Sequence, residues 1–142
     1  MQLSSEWARQ RFNSARVARL ATVDAEHRPH LVPIVFAVHG DSLVSAVDRK
    51  PKRDVRLRRL DNIRGNAAVS VLVDDYSDDW EQLWWARADG RARIVTAEDD
   101  EAAAALAALT ARYVQYAELP PPGPVVIVTV TRWSGWSARD PS

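Results

Sequence analysis

Residues 49–64, RKPKRDVRLRRLDNIR, carry eight basic side chains (Arg49, Lys50, Lys52, Arg53, Arg56, Arg58, Arg59, Arg64) and two acids (Asp54, Asp61). Their net charge is +6 in a 142-residue chain whose total is zero, so the other 126 residues sum to −6. Charge gathered this tightly calls for an anion. Three readings fit: a cradle for a cofactor phosphate, a solvated or dimer-bridging charged face, and a nucleic-acid contact. The cradle is favoured because the charge falls at a strand–loop–helix junction. A phosphate there would meet backbone N–H groups and the positive end of a helix as well as the side chains. The neutral total argues against a general nucleic-acid binder.

Other chemistry is sparse. His27 and His30 are three apart, but in a turn and a strand start with no third ligand nearby, so no metal site is expected. Asp74, Asp75, Asp78, Asp79 and Glu81 read as a solvated loop. HExxH, GxSxG, GxxxxGK[ST] and GxGxxG are all absent. No pair of residues stands out as general acid and base, so catalytic residues are unassigned and a cofactor would carry any chemistry. There is no cysteine, which excludes disulfides and thiolate catalysis and fits a cytoplasmic protein. The N-terminal residues do not read as a signal peptide, and no stretch is long and apolar enough to cross a bilayer. Six tryptophans are many for this length. Trp80, Trp84 and Trp85 cluster, as do Trp133 and Trp136. Core and subunit interface explain them well; the alternative is that one or two flank a planar ring.

The elements that must position the basic run follow from punctuation and periodicity. The length suits one domain over residues 1–142. Ser4 or Ser5 can cap a helix to about Asn13, anchored by Trp7 and Phe12. Strands are predicted over 17–23, 30–38 and 42–47, the last two joined by a tight turn at His39-Gly40-Asp41. The basic run becomes a helix with Pro51 in its first turn, Leu57, Leu60 and Ile63 near one face, and Gly65 or Asn66 at its end. Residues 68–73 form a fourth strand, apolar enough to be covered on both faces. Residues 83–96 form a fifth, bent at Asp89-Gly90, with alanine and arginine alternating between a buried and a polar face. Thr96 caps an Ala-rich helix to about Tyr113, buried at Leu106 and Leu109. LPPPGP is a stiff connector to a last strand over 125–133. Six mostly antiparallel strands with two inserted helices suggest a mainly β, small closed or split barrel.

The ordered segments LATVDAEHRPHLVPIVFAV, SAVDRKPKRDVRLRRLDNI, NAAVSVLVDDY and DGRARIV, with the closing RWSGW, resemble the flavin and deazaflavin oxidoreductases built on a pyridoxamine-phosphate-oxidase-like split β-barrel. The likeness is greatest to the actinobacterial branch that uses the deazaflavin coenzyme F420. The resemblance implies a six-stranded antiparallel split β-barrel (α+β) of the FMN-binding type. It also implies a homodimer with the cofactor in a groove at its interface. The cofactor would be coenzyme F420, or alternatively FMN. The activity would be hydride transfer to a small organic substrate; the alternatives are an FMN-dependent oxidoreductase and a flavin- or deazaflavin-binding protein without turnover. By the same resemblance Val32 and Pro33 would run beside the ring, and Ser45 and Ala46 would approach the ribityl chain. Lys50, Lys52 and Arg59 would hold the phosphate, with Arg56 added from helix spacing. Trp80 would reach the cofactor from the partner subunit. No membrane and no nucleic acid are implied as partners.

Overall fold

The computed structural model describes residues 1–47 and 57–140. Its strands are β1 (Gln2–Leu3), β2 (Ala18–Val23), β3 (Pro29–Ile34), β4 (Ala37–His39), β5 (Ser42–Ala46), β6 (Ala68–Asp75), β7 (Trp84–Val95) and β8 (Val125–Ser137). The helices are α1 (Ser5–Ser14), α2 (Arg58–Gly65), α3 (Asp100–Arg112) and α4 (Val114–Glu118). All strand pairs are antiparallel, in the order β3-β2-β6-β7-β8-β5-β4, with β1 added at the far end of β8.

The two edge strands of this sheet, β3 and β4, are consecutive in the chain and separated only by Val35 and Phe36. So short a link forces the sheet to curl until its edges meet. The result is a split barrel whose seam lies at that corner. The single strand expected over 30–38 is thus two strands on opposite edges. The Ser45 hydroxyl donates to the Val35 carbonyl at 2.9 Å, and the Tyr113 hydroxyl binds Phe36. These contacts hold a corner that carries no glycine or proline.

Two apolar cores flank one sheet. Inside the barrel, Leu20, Leu43, Val69, Val71, Val73, Ala86, Ala88, Val126 and Val128 pack with Phe12 of α1. On the outside of β4, β5 and β8, Val44, Ala46, Val125 and Ile127 pack beneath Ala102, Ala105 and Leu109 of α3 and Tyr116 of α4. This explains the continuous burial of residues 43–46 in β5 and 125–128 in β8, which are covered on both faces. β6 differs from expectation: Val69, Val71 and Val73 face inward, while Ala68 is exposed and Ser70 and Leu72 are half-buried on an outer face that no described helix covers.

Local chemistry sets the element ends. The Ser4 side chain accepts from the Trp7 amide and starts α1. Gly40, at φ +61°, allows the two-residue turn between β4 and β5. β7 bends where expected: Asp89 pairs with Arg132 but Gly90 pairs with Val130, so Thr131 is the extra residue of a bulge. A Cβ on Gly90 would lie 2.3 Å from the Thr129 carbonyl oxygen, so the close strand approach requires glycine there. Asp99, not Thr96, caps α3, accepting from the Glu101 amide. Thr96 instead hydrogen-bonds Glu98, whose carboxyl lies below its ordinary range because of its own backbone amide first and Thr96 second. α4 and the short β1 were not anticipated, and β8 extends to Ser137 beyond the predicted end. Among the described residues no helix is long and apolar enough to cross a membrane.

Candidate functional site

A cavity of about 260 Å³ opens at the seam. Val17, just before β2, forms one wall, and Pro33, Ile34 and Val35, at the end of β3 and the corner, form another. Ser45 and Ala46 at the end of β5 and Arg59 in the first turn of α2 complete it. The lining is apolar with one hydroxyl and one guanidinium. α2 is set against the barrel by Leu60 and Ile63, which join the inner core. A buried hydrogen bond of 2.9 Å from the Asn62 amide to the Thr22 hydroxyl pins it further. That bond fixes the helix face, and so places half-buried Arg59 at the cavity.

Four of the residues proposed from the sequence therefore come together: Pro33, Ser45, Ala46 and Arg59. Val32 lies next to Pro33 but packs against the barrel core. Trp80 sits far along the chain, in a 3-10 turn (Trp80–Gln82) joining β6 to β7, and is 77% exposed. It does not line the cavity of its own chain. Lys50, Lys52 and Arg56, together with the expected helix start at Pro51, lie outside the described residues. Their chain neighbours do not: Ala46 ends β5 at the cavity, and Arg59 leads back into it from α2. The basic run is the connection between two walls of one cavity. Val17, Ile34 and Val35 had no motif to announce them.

The aromatic residues divide. Trp7 meets Trp84 edge-on at 6.1 Å, and Trp133 meets Phe12 at 5.3 Å, all packed on the inner core. At the other end of the β6–β7 hairpin, Leu72, Asp74, Tyr76, Trp85 and Arg87 line a shallow cleft of about 240 Å³, with the Arg87 guanidinium 5.4 Å over the Trp85 ring. His27 occupies the turn after β2 at φ +63°, and His30 pairs across the ladder with Thr22.

A family model described as pyridoxamine 5'-phosphate oxidase matches residues 5–137. The chain belongs to the pyridoxamine 5'-phosphate oxidase family. Solved structures share the family's split barrel. A FAD-binding protein from Mesorhizobium loti is 18% identical, with 95% of each chain covered and a TM-score of 0.73. The FAD-binding protein from Mycobacterium smegmatis is 25% identical, with 99% of this chain and 100% of that chain covered and a TM-score of 0.65. The heme storage protein HutZ from Vibrio cholerae is 17% identical, with 92% of this chain and 91% of that chain covered and a TM-score of 0.65. No curated protein matches.

Proposed function

We propose that this member of the pyridoxamine 5'-phosphate oxidase family is an oxidoreductase that binds a flavin-type cofactor at the barrel seam, with the deazaflavin coenzyme F420 as that cofactor. The observation that carries the reading is the seam cavity whose two walls, Ala46 and Arg59, are joined by the basic run. Lys50, Lys52 and Arg59 would hold the phosphate, with Arg56 beside them, while the Ser45 side borders the ribityl chain. The FAD-binding relatives support a flavin-type ligand. Eight cations in sixteen residues suit the more anionic deazaflavin, with its polyglutamate tail, over FMN. When bound, the deazaflavin would supply a hydride to an unsaturated carbon of a small organic substrate, a proton completing the reduction.

About 260 Å³ is smaller than a site that encloses a cofactor-sized ligand, which runs from ~300 to 1,000 Å³. In this reading a second copy of the chain would supply a further wall. Leu31, 66% exposed on edge strand β3, and the open outer face of β6 offer an apolar surface for a homodimer. The exposed Trp80 would reach the cofactor from the partner subunit.

The deciding experiment is a fluorescence titration of ligand-stripped protein with the deazaflavin and, separately, with FMN. Saturable, tighter binding of the deazaflavin at one site per subunit is expected; tighter FMN binding would move the protein to the FMN-dependent reading. Lys50→Ala with Lys52→Ala is expected to weaken binding at least about tenfold without unfolding, since a charge-assisted hydrogen bond contributes ~1.5–3 kcal/mol. Unchanged affinity in that variant would remove the phosphate-cradle assignment. A second reading, binding without turnover, is favoured by the cavity lining, which holds no carboxylate or histidine among the described residues. Anaerobic reduction of a panel of unsaturated acceptors separates the two.

A further inference from the structure

The seam cavity exists because a ladder stops. β2 and β3 pair from Val23↔Pro29 to Ala18↔Ile34. Continuing that register would set Val17 against Val35 and Arg16 against Phe36. Instead, the strands part, and Val17 and Val35 become two walls of the cavity. At the rung where Arg16 and Phe36 would meet stands the hydroxyl of Tyr113. It accepts from the Phe36 amide at 3.1 Å, and its one hydrogen lies between the Phe36 carbonyl at 2.8 Å and the Arg16 carbonyl at 2.9 Å.

The ring behind that hydroxyl is fixed from several sides. Tyr113 separates α3 from α4 and closes α3 with its own amide, which donates to the Leu109 carbonyl at 3.0 Å. Its ring meets Tyr116 edge-on at 5.9 Å. The guanidinium groups of Arg16 and Arg112 lie 5.8 and 5.7 Å from its centroid. Arg112 also sits over Phe36 at 4.9 Å and donates to the Phe12 and Ala15 carbonyls, while Arg16 donates to the Arg112 carbonyl at 3.0 Å. A side chain held this firmly can act as a spacer.

We infer that Tyr113 is a positioning residue of the seam site: its hydroxyl replaces one rung of the β2–β3 ladder and so sets the separation of the Val17 and Val35 walls. This rests on the seam cavity being the cofactor site. Ser45 acts on the same corner from the other side, through the Val35 carbonyl. The corner is thus held by one residue of the barrel and one of the α3–α4 excursion.

The test is Tyr113→Phe, which removes only the hydroxyl and keeps the ring. Two quantities are read: amide hydrogen exchange at Phe36 in ligand-free protein, and affinity for FMN and for the deazaflavin, titrated in parallel. Exchange at Phe36 is expected to accelerate at least about tenfold, and affinity for the bound cofactor to fall about tenfold. Ala105→Gly, which weakens α3 from its buried side away from the phenol, is expected to lower Tm and leave affinity unchanged. A purely structural Tyr113 would behave like Ala105→Gly, and that result overturns the inference. Unaltered exchange at Phe36 overturns it whatever the protein binds. Should wild-type protein bind neither cofactor, the functional reading falls, and the Phe36 amide alone decides the role of the hydroxyl.

Discussion

Asn62 shows how a single polar side chain places the site. It is buried on α2, where asparagine has little helical preference, and it is there because its amide donates to the equally buried Thr22 hydroxyl. Removing one partner of a buried hydrogen bond costs about 1–3 kcal/mol. Asn62→Ala is expected to lower the urea midpoint accordingly and to weaken cofactor binding, since α2 then loses the contact that orients Arg59. Equilibrium unfolding and the fluorescence titration measure both. None of this was legible beforehand, because the partners are forty residues apart and neither belongs to a motif. Ser45, Ala46 and Pro33 were legible only through the family resemblance, whereas Arg59 also stood out as one cation of the basic run. Composition marked the basic run as an anion site, but it could not say which walls the run joins.

Elements were readable where chemistry is local and misread where it is not. The Gly40 turn, the Asp89-Gly90 bend and the end of α2 at Gly65 each follow from residues within a few positions. The corner at Val35–Phe36 does not. Its apolar pattern runs straight through, and the partner of the Phe36 amide there is a tyrosine hydroxyl 77 residues away. The bulge yields a sharp test: Gly90→Ala drives a methyl into the Thr129 carbonyl. The β7–β8 ladder must then part, at a cost of about 1–3 kcal/mol visible in thermal unfolding. A pH test belongs to α3. The Arg93 guanidinium, by hydrogen bond first, holds the Glu101 carboxyl below its ordinary value of 4.5 and ties the helix start to β7. A depressed carboxyl contributes stability that is full above the unfolded value and vanishes as pH falls through the folded one. The Tm difference between wild type and Glu101→Gln should therefore shrink on acidification below 4.5. The pair is exposed, so the difference is small even at neutral pH.

For the whole molecule, the outer face of β3, β2 and β6 is the candidate subunit interface. Leu31→Glu places a charge at its most exposed apolar position. If this face is the subunit interface, sedimentation should show a dimer becoming a monomer, with cofactor affinity lost in parallel. A variant that stays dimeric and binds normally would place the interface elsewhere. The two-core arrangement explains why residues 96–124 can leave the barrel without disturbing it: Val95 and Val125 are paired, so the excursion departs and returns at one rung.

The position of β8 has a consequence for synthesis. It is the last strand of the barrel to be made, yet it lies between β7 and β5 and also receives β1. Until residues 125–137 emerge, a nascent chain has two bare strand edges, and the amino-terminal strand has nowhere to dock. Folding vectorially, domain part by domain part, is closed to such a topology. The growing polypeptide must wait, and while it waits it presents β7 and β5 as templates for aggregation. Stop codons shortly before Val125 should therefore yield insoluble product, which a solubility assay of the truncated chain would check.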